Sequence, residues 1–136
     1  MKRRFFLALL LTPSLVWAHS YKQGDIEIGH AWALPSLTIE TSVMFPMLNT
    51  GSQADALISV SSSTAQSVEL RDGDAAVAEF TLEPNHPFPM RAAAKHLQLI
   101  GLTKALSTGD KLQLVLNFKL AGQIMVDVHV AAKAEE

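Results

Sequence analysis

The chain has 136 residues, with 11 basic and 13 acidic side chains, five histidines and no cysteine. The missing cysteine excludes disulfides, thiolate metal sites, cysteine nucleophiles and iron–sulfur clusters, so any soft-metal chemistry falls to His, Met, the backbone and a terminal amine. The slightly acidic balance excludes the basic surface that nucleic acid and anionic membranes demand.

Lys2, Arg3 and Arg4 precede an apolar run from Phe5 to Val16, broken only by Thr12, Pro13 and Ser14, and Val16-Trp17-Ala18 supplies a cleavage site. This is the pattern of a secretory leader over residues 1–18. A membrane anchor would need about 20 continuous apolar residues, whereas polar His19, Ser20, Lys22 and Gln23 follow at once. Cleavage after Ala18 starts the mature chain at His19, with a free α-amine, and leaves a net charge of −5 with His neutral. The remaining length predicts one domain, over residues 19–130, large enough to bury a core without covalent staples. No later apolar run is long enough to span a bilayer, so a soluble mature form is expected. Residues 131–136 read as a frayed tail.

Alternation with period two dominates the mature sequence. Ile26, Ile28, His30 and Trp32 are expected on one face of a first strand, with Glu27 and Gly29 on the other. Val43, Phe45 and Met47 alternate with Met44, Pro46 and Leu48 in a second run closed by Asn49-Thr50-Gly51. Pro46 cannot donate to a ladder, which places this strand at an edge or bulges it. Further strands are predicted over 54–61, 66–71, 76–82, 95–100, 111–118 and 123–130, with a short helical turn over 102–107. The clearest alternation is in the last two strands, Leu112/Leu114/Leu116/Phe118 and Ile124/Val126/Val128/Val130. Eight short strands without a sustained helix predict an all-β fold, an antiparallel Greek-key β-sandwich.

The sequence contains no nucleophile elbow, phosphate loop, H-E-x-x-H helix or calcium loop. The remaining chemistry lies with His and Met. His129 alternates outward beside Met125 and Asp127 and reads as solvated surface. His30 shares a face with Ile28 and Trp32 and reads as a hydrogen-bonded, partly buried side chain. His86 sits in the proline-stiffened stretch Pro84-Asn85-His86-Pro87-Phe88-Pro89-Met90, where a rigid connection and a functional loop are equally compatible with the sequence. Met44 and Met47 fall on opposite faces, so at least one fills the core. In Lys95-His96-Leu97-Gln98-Leu99-Ile100, His96 and Gln98 project together from a strand whose other face carries Leu97 and Leu99.

From Gly24 to Val130 the chain resembles the periplasmic PCu(A)C copper chaperones, which are cupredoxin-like β-sandwiches. The stretches that carry the resemblance are Gly24-Asp25-Ile26-Glu27-Ile28-Gly29-His30-Ala31-Trp32-Ala33, Leu48-Asn49-Thr50-Gly51, Ser67-Val68-Glu69-Leu70-Arg71-Asp72, His96-Leu97-Gln98-Leu99-Ile100-Gly101-Leu102 and Leu106-Ser107-Thr108-Gly109-Asp110-Lys111-Leu112. The resemblance implies a Cu(I) site of two His and two Met. Here Arg71 stands at the first His position, the first Met has no counterpart, and the closing His-x-Met motif reads His96-x-Gln98, so only His96 is retained. Two compensations are expected to be available. His86 and Met90 could join His96 as an N/N/S set, or His19 could chelate Cu(II) through its amine and imidazole.

The expected function is therefore that of a non-enzymatic periplasmic copper-binding protein, a chaperone for a cuproprotein acceptor with an altered site. Its candidate metal ligands are His96, His19, His86 and Met90. The alternative is a non-metal interaction module on the same fold, marked by an exposed Met44/Phe45/Met47 patch.

Overall fold

The computed structural model describes residues 20–132. The predicted leader, His19 and the last four residues of the predicted tail lie outside the described residues. Twelve strands follow one another among the described residues: β1 (Tyr21–Gln23), β2 (Ile26–Ile28), β3 (Ala31–Ala33), β4 (Glu40–Met44), β5 (Met47–Asn49), β6 (Asp55–Ser61), β7 (Ala65–Asp72), β8 (Ala75–Ala76), β9 (Phe80–Leu82), β10 (Lys95–Leu102), β11 (Lys111–Phe118) and β12 (Gly122–Val130). They form a three-stranded sheet, β1-β2-β5, and a curled nine-stranded sheet, β8-β7-β10-β4-β3-β12-β11-β6-β9. The sandwich expectation is met, with one departure from antiparallel order: β3 pairs with β12 in parallel.

The β11–β12 hairpin forms as its alternation predicts. Leu112 pairs with Val128, Leu114 with Val126 and Leu116 with Ile124, and their inward faces join a single core with Val43, Leu97, Leu99 and Phe45. Burying such side chains contributes about 1.5–3 kcal/mol each, so the core explains why short strands hold together without staples.

The single first strand expected over Ile26–Trp32 is two strands in different sheets. Ile26 and Ile28 point into the core, and then the phase slips, so that Ala31 and Ala33 are buried while His30 and Trp32 turn outward. The corner is set by contact with Pro46. The Gly29 amide donates to the Pro46 carbonyl at 2.9 Å, and a Cβ on Gly29 would stand 2.5 Å from Pro46 Cγ. Pro46 in turn breaks the second predicted strand into β4 and β5, where the chain crosses from the large sheet to the small one.

Three further expectations are corrected. Residues 102–107 form no helical turn, because the backbone groups of Leu106 exchange hydrogen bonds with Ser36 at 2.9 Å each. The strand expected over 76–82 divides into β8 and β9, which pair with β7 and β6 at opposite edges of the large sheet. Met44, Phe45 and Met47 are each at most 2% exposed, so the apolar patch that would mark an interaction module is absent.

Two buried polar residues lock the loops. Asp55 Oδ1 accepts from the amides of Ala56 at 2.7 Å and Leu120 at 2.8 Å, while Oδ2 accepts from Ala121 at 2.9 Å. Asn49 donates to the Gln53 and Leu82 carbonyls and accepts from the Gly51 amide. Satisfied in this way, both avoid the cost of a buried unpaired polar group.

Candidate metal-binding site

His96 lies on β10 between β4 and β7. Its neighbours Leu97 and Leu99 are fully buried in the core, and the pleat turns His96 and Gln98 to the outer face. The ring is nonetheless buried, with Nδ1 2.9 Å from the Ala94 carbonyl. Directly opposite it on β7 is Arg71. The Arg71 guanidinium is bound to Glu69 at 3.0 Å and approaches Glu40 at 3.7 Å. Gln98 accepts a 3.1 Å hydrogen bond from the Ser42 hydroxyl. Arg71 thus belongs to an ion-pair cluster and Gln98 to a neutral amide contact.

His86 is exposed, with Nδ1 2.8 Å from the Pro84 carbonyl. Met90 is half-buried against the core. Among the described residues no three His, Asp or Glu side chains converge as metal ligands.

The structure does bring together two histidines that the sequence leaves apart. His30, turned outward by the corner at Gly29, stacks on His129 with ring centres 5.3 Å apart and planes inclined at 23°. His129 is half-buried rather than solvated, because the parallel β3–β12 ladder sets it beside Trp32 and His30 covers it. Tyr21 ties the start of the described chain to the same place, its hydroxyl accepting from the Asp127 amide at 2.9 Å. The sequence holds one signal for this arrangement. Gly24-Asp25, with Gly24 at φ 57°, is a two-residue hairpin turn that pairs Tyr21 with Ile28.

The model of the LpqE-like family, described as lipoprotein LpqE-like, matches residues 26–130. The chain belongs to this PCu(A)C-type family. No curated protein matches the sequence. Among solved structures, a copper-bound PCuAC domain from PmoF2 is 26% identical with a TM-score of 0.78, covering 85% of this chain and 99% of its own. The apo PCuAC domain of PmoF1 is 22% identical with a TM-score of 0.79, covering 85% of this chain and 100% of its own. The CuI-bound DR1885 of Deinococcus radiodurans is 18% identical with a TM-score of 0.69, covering 88% of this chain and 85% of its own. These likenesses establish the cupredoxin-like β-sandwich for this LpqE-like protein.

Proposed function

We propose that this protein is an exported copper carrier whose ion is held at the His30–His129 pair, completed by the amine and imidazole of His19. The stacked pair is the observation that carries the reading. An imidazole binds a metal through a nitrogen lone pair in its ring plane at about 2 Å, so the two rings, with centres 5.3 Å apart, are near enough to share one ion once they rotate to aim their nitrogens at it. The β1–β2 register pairs Tyr21 with Ile28, which holds the start of the described chain beside the strand that leads to His30. Removal of the leader at Ala18 would make His19 a two-nitrogen chelator. An all-nitrogen set favours Cu(II) over the softer Cu(I).

The copper in the PmoF2 and DR1885 domains supports copper as the cargo. The half-buried position of both rings suits loading and release toward an acceptor cuproprotein, and the leader supports a periplasmic address. The reading is of a carrier rather than a catalyst.

The test is Cu(II) titration against a competing chelator, using protein that begins at His19, protein with one residue added ahead of His19, and His129→Ala. One equivalent is expected for the first, with an electron paramagnetic resonance spectrum of nitrogen ligands, and at least a hundredfold weaker binding for the other two. Equal affinity in all three overturns the assignment.

A further inference from the structure

One end of the sandwich is built from loops that carry almost no charge. The β3–β4 loop (34–39), the β6–β7 loop (62–64) and the β10–β11 loop (103–110) meet there. Ser36 exchanges backbone hydrogen bonds with Leu106, the Leu102 amide donates to the Ile39 carbonyl at 2.8 Å, and the Thr103 amide donates to the Thr64 carbonyl at 2.9 Å. Lys104 and Asp110 are the charged side chains in these three loops, and Asp110 is turned back on its own loop, accepting from the Ser107 amide at 2.8 Å. From this end project Leu37, 93% exposed, and Ile39, 64% exposed, more than any other large apolar side chain among the described residues.

We infer that this end docks on the surface of a lipid bilayer, with Leu37 and Ile39 seated at the acyl boundary and Lys104 among the phosphate groups. The β3–β4 loop is held ready for it. The Ser36 hydroxyl donates to the Glu40 carbonyl at 2.7 Å and accepts from the Thr38 amide at 3.1 Å, while the Thr38 hydroxyl donates to the same carbonyl at 3.1 Å. With the Leu106 and Leu102 contacts, most backbone polar groups of the loop have protein partners, and an apolar phase is entered at least cost when those groups need no water. A loop preset in this way loses little freedom on binding. Lys104 can lay its stem along apolar surface while its ammonium reaches the headgroups.

A second copy or a protein partner fits this end less well. Two side chains fall far short of the roughly 800 Å² that each partner of a stable dimer buries, and like net charges on the exported chains repel one another. Protein interfaces are anchored by Trp, Tyr and Arg, and the three loops contain none of them. The acidic balance of the chain is no obstacle to a neutral bilayer, because aliphatic side chains make the contact. A single myristoyl chain binds membranes reversibly, with a constant of about 10⁴ M⁻¹. Two aliphatic side chains offer fewer carbons, so the docking is weak and reversible. His30 precedes Leu34 by four residues, about 13 Å of extended chain, which exceeds the roughly 5–10 Å that interfacial side chains penetrate. Docking therefore leaves the stacked histidines outside the lipid.

The test is flotation of protein that begins at His19 with phosphatidylcholine vesicles, at about 1 mM lipid. A fraction of the protein is expected to float with the vesicles and to do so equally at high salt, which screens charge but not apolar contact. Leu37→Ser combined with Ile39→Ser should reduce that fraction at least tenfold. Leu120→Ser, which removes an exposed leucine from the opposite end, should leave it unchanged. In Leu37→Trp, lipids brominated on their acyl chains should quench the fluorescence of the added indole. Absence of flotation, equal flotation of the double variant, or no quenching in Leu37→Trp overturns the docking. Self-association without lipid that the double variant abolishes would assign the loop to a second copy, and flotation only on native membranes that protease treatment abolishes would assign it to a protein; either result also overturns it.

Discussion

Replacing Gly29 with alanine adds one methyl group at the corner that turns His30 outward. That methyl would stand 2.5 Å from Pro46 Cγ and 3.2 Å from its Cδ, inside any real carbon–carbon contact. Gly29 has no left-handed backbone to preserve, so the substitution tests steric approach alone. The proline ring cannot swing aside, and either the Gly29–Pro46 hydrogen bond at 2.9 Å lengthens or the corner shifts. Overpacking of this kind costs about 1–3 kcal/mol, measurable as a lower urea midpoint at constant slope. The same shift displaces His30 relative to His129, and loss of ligand orientation weakens metal binding by roughly 10–100-fold. Urea unfolding and copper competition on one preparation give both numbers. A Gly29→Ala protein with unchanged midpoint and unchanged copper affinity would refute the claim that this contact positions the histidine.

Asp55→Ala leaves the partly buried amides of Leu120 and Ala121, and the buried amide of Ala56, without their acceptor; destabilisation of about 3 kcal/mol is expected by chemical denaturation. His129→Phe should keep a ring against His30 and hold stability within about 1 kcal/mol, while copper titration shows at least a hundredfold loss. Arg71→Gln removes ion pairs to two carboxylates that are both more than two-fifths exposed, and a stability change below about 1 kcal/mol is expected in thermal unfolding.

The strands that the sequence reveals are those whose alternation runs uninterrupted over seven residues with one face wholly apolar, as in Leu112 to Phe118 and Ile124 to Val130. A one-residue slip there would expose every core side chain, so local pattern and global register agree. The first strand misleads for the opposite reason. Its phase change at Gly29 and His30 depends on the ring of Pro46, which lies in the connection between β4 and β5 and leaves no trace in the local alternation. β1 is only three residues long, too short for a periodic signal, although its Gly24-Asp25 turn is readable. The outward projection of His96 and the core placement of Leu97 and Leu99 follow from alternation. The burial of His96 does not, because it depends on what lies over the sheet's outer face. The nearness of His30 to His129 is set by the parallel β3–β12 pairing, a long-range contact that no spacing rule contains.

That parallel ladder also bears on how long the protein survives. β3 lies near the start of the described chain and β12 at its end, so a metal shared by His30 and His129 would close a loop that embraces nearly the whole domain. Metal clips across long loops restrict the unfolded chain most, and a ligand bound only by the folded form stabilises it by mass action, about 2.7 kcal/mol at a free concentration 100 times its dissociation constant. Cargo would then govern turnover. The loaded carrier would resist proteases, and the emptied one would be the form that they remove.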